Sequence, residues 1–273
     1  MNLVAGCYAA ASKTRRCQSA LRLHNARMGK TNRPSKGGPR RVGTVWTVYR
    51  DATRQPLYCL LLLLPLVGAY ELGALLLRPA TGPEPQLVAY RLIQSLLDWF
   101  GAGGIWLPGV VLLATLSAWH LISRHPWRIH TWVLAGMVVE SLLLTVPLFV
   151  LNRVLLQAGE PAGEDWRSQL VFALGAGVYE ELVFRLYLIT GLTMLAVKVF
   201  HVPRRVAIVS AITVAVMFFA RCHFPPLGST TYTLQTFAFF VAAGAYLSIV
   251  FVGRGLGVAT GCHAAYNLIL LFG

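Results

Sequence analysis

Residues 169–199, QLVFALGAGVYEELVFRLYLITGLTMLAVKV, form an apolar run of 31 positions interrupted near its middle by Glu180, Glu181 and Arg185. A helix needs about 20 apolar residues to cross a bilayer, because the hydrocarbon is about 30 Å thick and the rise is about 1.5 Å per residue. This stretch is longer than one upright crossing. The expectation is one long or kinked helix, with a break near Thr190 and Gly191 as the way to an eighth element.

Working outward, six further stretches have the length and composition of membrane helices, at about 57–77, 104–122, 131–151, 206–222, 232–252 and 256–272. The chain of 273 residues is 56% hydrophobic and only 12% charged, a surplus of apolar surface that a soluble domain has no means of burying. The predicted fold is all-α: a polytopic transmembrane bundle of seven or eight helices. Residues 1–55 read as a basic, mostly disordered tail, 56–167 as the amino-terminal membrane helices, and 168–273 as the carboxy-terminal membrane helices. Between Pro79 and Gly101, Leu92, Ile93, Leu96, Leu97 and Phe100 fall at helical spacing beside Arg91, Gln94 and Asp98, which predicts an interfacial helix near 87–100.

The net charge of +14 is uneven, with 12 of the 24 Lys and Arg in residues 1–55 beside one acid, Asp51. A basic arm ahead of long apolar runs reads as a juxtamembrane cytoplasmic tail, not a nucleic-acid arm. With the tail inside, Arg124, Arg128, Lys198, Arg204, Arg205 and Arg254 fall on the same side and the acidic loop Glu160 to Asp165 on the other. The expected location is multi-pass in a bacterial cytoplasmic membrane. Residues Arg15 to Lys30 carry a weak amphipathic pattern that fits a solvated tail or contact with anionic lipid. The Val4-Ala5-Gly6-Cys7 box lacks the charged lead and apolar stretch of a signal peptide, and Met28 is an alternative start. Five scattered cysteines, Cys7, Cys17, Cys59, Cys222 and Cys262, contain no C-x-x-C pair, so reduced thiols are expected.

Ionisable groups inside membrane helices cost about 2.5–3.5 kcal/mol each on insertion scales, so they mark function or pairing. Glu181 and Arg185 are spaced i, i+4 and can share one face, while Glu180 points about 100° away. Glu180 is then free for general-base chemistry, or all three join a buried ion network between helices. Glu71 and Glu140 have no partner near them in sequence. Phe219 and His223, and His263 and Asn267, are again i, i+4 pairs on two later helices. By depth, Glu180 lies 24 residues before Arg204 and His223 lies 18 after Arg205, so the two can meet; His263, only 9 past Arg254, needs an irregular Gly253–Gly261 stretch or offset helices.

Glu180-Glu181-x-x-x-Arg185, Phe219-x-x-x-His223 and His263-x-x-x-Asn267 resemble the three ordered motifs of the CAAX protease and bacteriocin-processing family, also called the Abi or type II CAAX prenyl endopeptidase family. The resemblance covers about residues 168–273. It departs at Leu186, where the family often has glycine, at the Lys198 to Arg205 loop, and in the basic tail. What it implies is an intramembrane endopeptidase in which Glu180 and His223 activate water and His263 and Asn267 stabilise the oxyanion, with Glu181, Arg185 and Phe219 in support. The substrate is then a membrane-associated, in some relatives prenylated, protein or peptide. Partners are that substrate and membrane lipids, with no nucleic acid, and no cofactor is required. One alternative makes Glu180, His223 and His263 ligands of Zn²⁺; another is a non-catalytic membrane scaffold or immunity protein, with a transporter further off. Cys222 and Cys262 adjoin motif histidines but diverge from them around the helix, and are read as small packing residues.

Overall fold

The computed structural model describes residues 45–77, 88–101, 107–156 and 166–272, and every regular element among them is helical. In chain order these are α1 (Val45–Thr53), α2 (Pro56–Leu76), α3 (Val88–Trp99), α4 (Leu107–Ser123), α5 (Thr131–Leu155), α6 (Trp166–Glu180), a π-helical segment (Glu181–Ile189), α7 (Thr190–Lys198), α8 (Arg204–Cys222), α9 (Leu234–Arg254) and α10 (Leu256–Phe272). Four helices, α2, α5, α8 and α9, are long and apolar enough to cross a membrane. The apolar helices α4 and α10 are shorter, at 17 residues each.

The ends follow local chemistry. Pro56 opens α2, where its missing N–H costs nothing. Thr233 and Thr236 form a capping box at the start of α9, each side chain serving the other's backbone N–H. Residues Val45–Thr53, within the stretch read as tail, form a helix packed on α5. Residues 1–44, with Cys7, Cys17, Met28 and the Arg15 to Lys30 pattern, and the acidic loop Glu160 to Asp165, lie outside the described residues. The 12-residue α3 buries Ala89, Tyr90 and Ile93 and exposes Leu96 and Trp99, the amphipathic helix expected there, too short to span.

The helical run from Trp166 to Lys198 is continuous. Its irregularity is the π segment, which begins at Glu181 and ends immediately before Thr190, the place where the sequence suggested a break. Wider turns of this kind are rare and recur at functional sites.

The central element is α10, which packs against α5, α6, α9, α2 and the π segment. Small residues permit this. A methyl group added at Gly177 of α6 would lie 2.7 Å from Ala264 Cα on α10, so backbones touch there. On the other side, Ser141 Oγ of α5 donates to Val258 O at 3.3 Å and Thr145 Oγ1 donates to Cys262 O at 3.2 Å.

Both isolated acids acquire partners from distant helices. The Tyr179 hydroxyl donates to Glu71. Glu140 accepts from Tyr49 Oη at 2.8 Å and from Arg254 Nη2 at 2.9 Å, while the Arg254 guanidinium lies over the rings of Trp46 and Tyr49. Burial, reinforced by the hydrogen bond to Glu140, pushes the Tyr49 hydroxyl well above the usual phenol range, so it stays a donor. This pairing also resolves the depth problem of His263. Arg254 meets Glu140 nine positions into α5, so the turn between α9 and α10 is recessed by about 13 Å along α5. The turn is a single residue, Gly255 at φ 98°, and α1 closes over it, with Thr53 Oγ1 donating to Arg254 O at 3.3 Å. The helices are offset, and the offset restores the depth.

The Gly177 contact yields a test. Gly177→Val is expected to cost about 1–3 kcal/mol by forcing α6 and α10 apart, whereas Gly191→Ala, with open space around it, is expected to be neutral or stabilising by about 0.5–1 kcal/mol. Thermal unfolding of the two variants in detergent reads the difference; equal stability would contradict the close approach.

Candidate active site

The motif residues come from three helical stretches that the offset brings level. Glu180 ends α6, Glu181 opens the π segment, His223 caps the C-terminus of α8, and His263 and Asn267 lie on α10. Glu180, Phe219, His223, His263 and Asn267 all line one cavity of about 870 Å³.

The adjacent glutamates face different ways, as helical geometry requires. Glu181 is fully buried; its Oε1 forms an ion pair with Arg185 Nη1 at 2.9 Å and accepts from His263 Nδ1 at 2.9 Å. Arg185 is equally buried; it lies over the Phe219 ring at 4.4 Å and reaches Gly244 O at 3.4 Å. This guanidinium is held by a carboxylate, an aromatic face and a carbonyl. Glu181 and Arg185 therefore lie behind the cavity wall, and Phe219, which lines the cavity, stands against the Arg185 guanidinium.

Glu180 faces the cavity. Its Oε2 stands 3.8 Å from His223 Nε2 and 3.8 Å from His263 Nε2. The other nitrogen of each ring is committed: His223 Nδ1 to Phe219 O at 2.8 Å, and His263 Nδ1 to Glu181. A carbonyl oxygen only accepts, and so does a carboxylate oxygen already held by a guanidinium. Each Nδ1 is thus a donor, and in the neutral ring each Nε2 is left as an acceptor. Three acceptor atoms converge, at separations longer than a direct hydrogen bond and suited to a bridging donor.

Asn267 reaches the same cavity but spends one amide hydrogen on Ala173 O at 3.2 Å, which leaves it one donor. Cys222 and Cys262 are buried free thiols, and Cys59 is a third. Among the described residues no group of three His, Cys, Asp or Glu is placed to hold a metal ion.

One residue at the heart of the site carried no sequence signal. Phe240 of α9 stacks on the His223 ring with centroids 3.9 Å apart and planes inclined by 23°. In the sequence it is one of three phenylalanines in Phe237–Phe240, indistinguishable from Phe239 by spacing or type. Between the Phe240 face and the Phe219 carbonyl, His223 has one ring orientation.

A bundle of apolar helices that buries carboxylates and imidazoles around a common cavity defines an integral membrane protein with an internal polar site. Residues 163–269 match the family model described as type II CAAX prenyl endopeptidase Rce1-like. No curated protein and no solved structure matches the chain. The carboxy-terminal part of the chain is thus similar to Rce1-like proteins, and every motif residue from Glu180 to Asn267 lies inside the match.

The buried ion pair is open to direct measurement. Glu181→Gln leaves the Arg185 guanidinium without its carboxylate and is expected to destabilise the fold by about 3–5 kcal/mol. Glu180→Gln, beside the cavity, is expected to leave thermal unfolding within about 1 kcal/mol of the unaltered protein. If the two variants unfold alike, the division between bracing and cavity-facing glutamates is wrong.

Proposed function

We propose that this protein is an intramembrane endopeptidase that hydrolyses a peptide bond of a membrane-associated protein or peptide, prenylated substrates included, with Glu180 as general base. The observation that carries the reading is the convergence of Glu180 Oε2 with two histidine Nε2 atoms whose opposite nitrogens are both anchored. A water molecule bridging these atoms donates its hydrogens to acceptors and turns its lone pair toward the cavity. Glu180 takes one proton as the oxygen attacks the carbonyl carbon. The carbonyl electrons move onto oxygen, where the remaining Asn267 N–H stabilises the charge, aided by His263 while its Nε2 shares the proton that Glu180 has taken from water. The proton on Glu180 passes through His223 to the amide nitrogen, the carbon–nitrogen bond breaks, and a carboxylic acid and an amine result. The balance needs no other reactant.

The cavity suits such a substrate. One wall is apolar, formed by Leu148, Phe239, Leu247 and Leu270 from α5, α9 and α10, and an aliphatic or isoprenoid chain fits it by burying about 25 cal/mol per Å². The basic tail supports a cytoplasmic amino terminus.

Two variants test the chemistry. Glu180→Gln and His223→Ala are expected to lower kcat by at least about 100-fold, measured by mass spectrometry of a membrane-peptide substrate, with folding retained. Retained cleavage would refute the assignment, and loss of insertion in both would favour a purely structural role for the polar groups. A zinc-bound centre remains the second reading, because its donor set is two imidazoles and a carboxylate with Glu181 behind one histidine. Elemental analysis with chelation separates them: full activity in metal-free protein is expected, and one zinc per chain with turnover lost on chelation would overturn it.

A further inference from the structure

Two of the arginines in the bundle are neutralised by glutamates, Arg185 by Glu181 and Arg254 by Glu140. Arg91 is not. It is the one lysine or arginine among the described residues that line the cavity, and among the described residues no carboxylate pairs with it. Its Nη2 donates to Leu227 O at 2.8 Å, which ties the exposed guanidinium to the rim of the cavity it lines and leaves N–H groups unspent for a ligand.

The rim beside it is made of donors. Leu227 is followed by Gly228, Ser229 and Thr230, all lining the same cavity, so two hydroxyl-bearing residues follow the carbonyl that anchors the guanidinium. This connection is also tied to the candidate active site. Thr230 N–H donates to His223 O at 3.0 Å, and Gly228 lies so close over that backbone that an added methyl would fall 2.3 Å from His223 O. The cavity thus has a fixed positive charge at its mouth, a carboxylate with two imidazoles deeper in, and an apolar wall alongside.

We propose that Arg91, tied to the connection that carries Ser229 and Thr230, is a docking subsite for a carboxylate carried by the bound peptide. The subsite sets register: pairing of the anionic group at the mouth places a peptide carbonyl further in, opposite Glu180. A guanidinium is the side chain suited to this task, since its fork matches a carboxylate with two parallel hydrogen bonds. The inference rests on the peptidase reading for the identity of the ligand. It depends on no hydrolytic step for its test.

The test is equilibrium binding to the full chain in lipid nanodiscs, read by fluorescence anisotropy. The probes are three amino-terminally labelled apolar hexapeptides: one with a free carboxy terminus, one amidated, and one amidated with an internal glutamate. The expected result is that at least one carboxylate-bearing peptide binds about tenfold more tightly than the plain amide. That preference shrinks in high salt, disappears in Arg91→Gln and returns in part in Arg91→Lys. Tight binding of the free acid alone assigns the subsite to a chain terminus; tight binding of the glutamate peptide assigns it to a side chain. Equal binding of all three peptides by the unaltered protein overturns the proposal, and so does an Arg91→Gln variant that weakens all three equally, which would make Arg91 only a brace for the loop around His223. A protein that binds with the expected preference yet cleaves nothing would sink the peptidase reading and leave the subsite standing.

Discussion

The arrangement turns on one buried carboxylate. Glu181 Oε1 is the meeting point of the Arg185 guanidinium, one helical turn away, and the His263 imidazole, 82 positions later in the chain. Each contact would be costly alone, because an unpaired charge inside a bundle loses its hydration. Together they fix the rotation of α10 about its own axis relative to the π segment. That rotation decides where His263 Nε2 points.

The same contact is possible only because backbones approach closely beside it. Gly177 and Ala264 leave no room for a larger side chain where α6 meets α10, and the recessed turn at Gly255, clasped by α1 and by the Arg254 pair with Glu140, sets the height of α10. Small residues give the lateral distance and the offset gives the depth. The polar site is a consequence of packing in elements far from it.

Much of this was legible in the residues. The amphipathic α3, the apolar helices and the i, i+4 relations of Glu181 with Arg185 and His263 with Asn267 follow from helical periodicity. The divergence of Glu180 from Glu181 follows from the 100° step. What escaped reading depended on partners that periodicity within a single segment does not reveal. The pairing of Glu140 with Arg254 joins positions 114 apart, and no spacing rule connects them. The helix Val45–Thr53 holds Arg50, Asp51 and Thr53 among its nine residues and looked like tail because its burial comes from tertiary contact with α5, not from its own composition. Phe240 is chemically ordinary; only its stacking on His223 distinguishes it. The π segment carried no breaker residue, and its wide turns coincide with the buried pair of Glu181 and Arg185.

Function follows from which atoms are left over. Once Phe219 O and Glu181 have taken the two Nδ1 hydrogens, the site presents Glu180 with two imidazole nitrogens that accept, and such a set recruits a donor. The direct measurement is the nitrogen-15 spectrum of the histidine-labelled protein in lipid near neutral pH, with His223 and His263 assigned by difference against His223→Ala and His263→Ala. The account predicts that both rings carry their hydrogen on Nδ1 and have a bare Nε2, and that the His263 pattern is lost in Glu181→Gln. A hydrogen resident on Nε2 of either ring, or a His263 signal indifferent to Glu181, would contradict it.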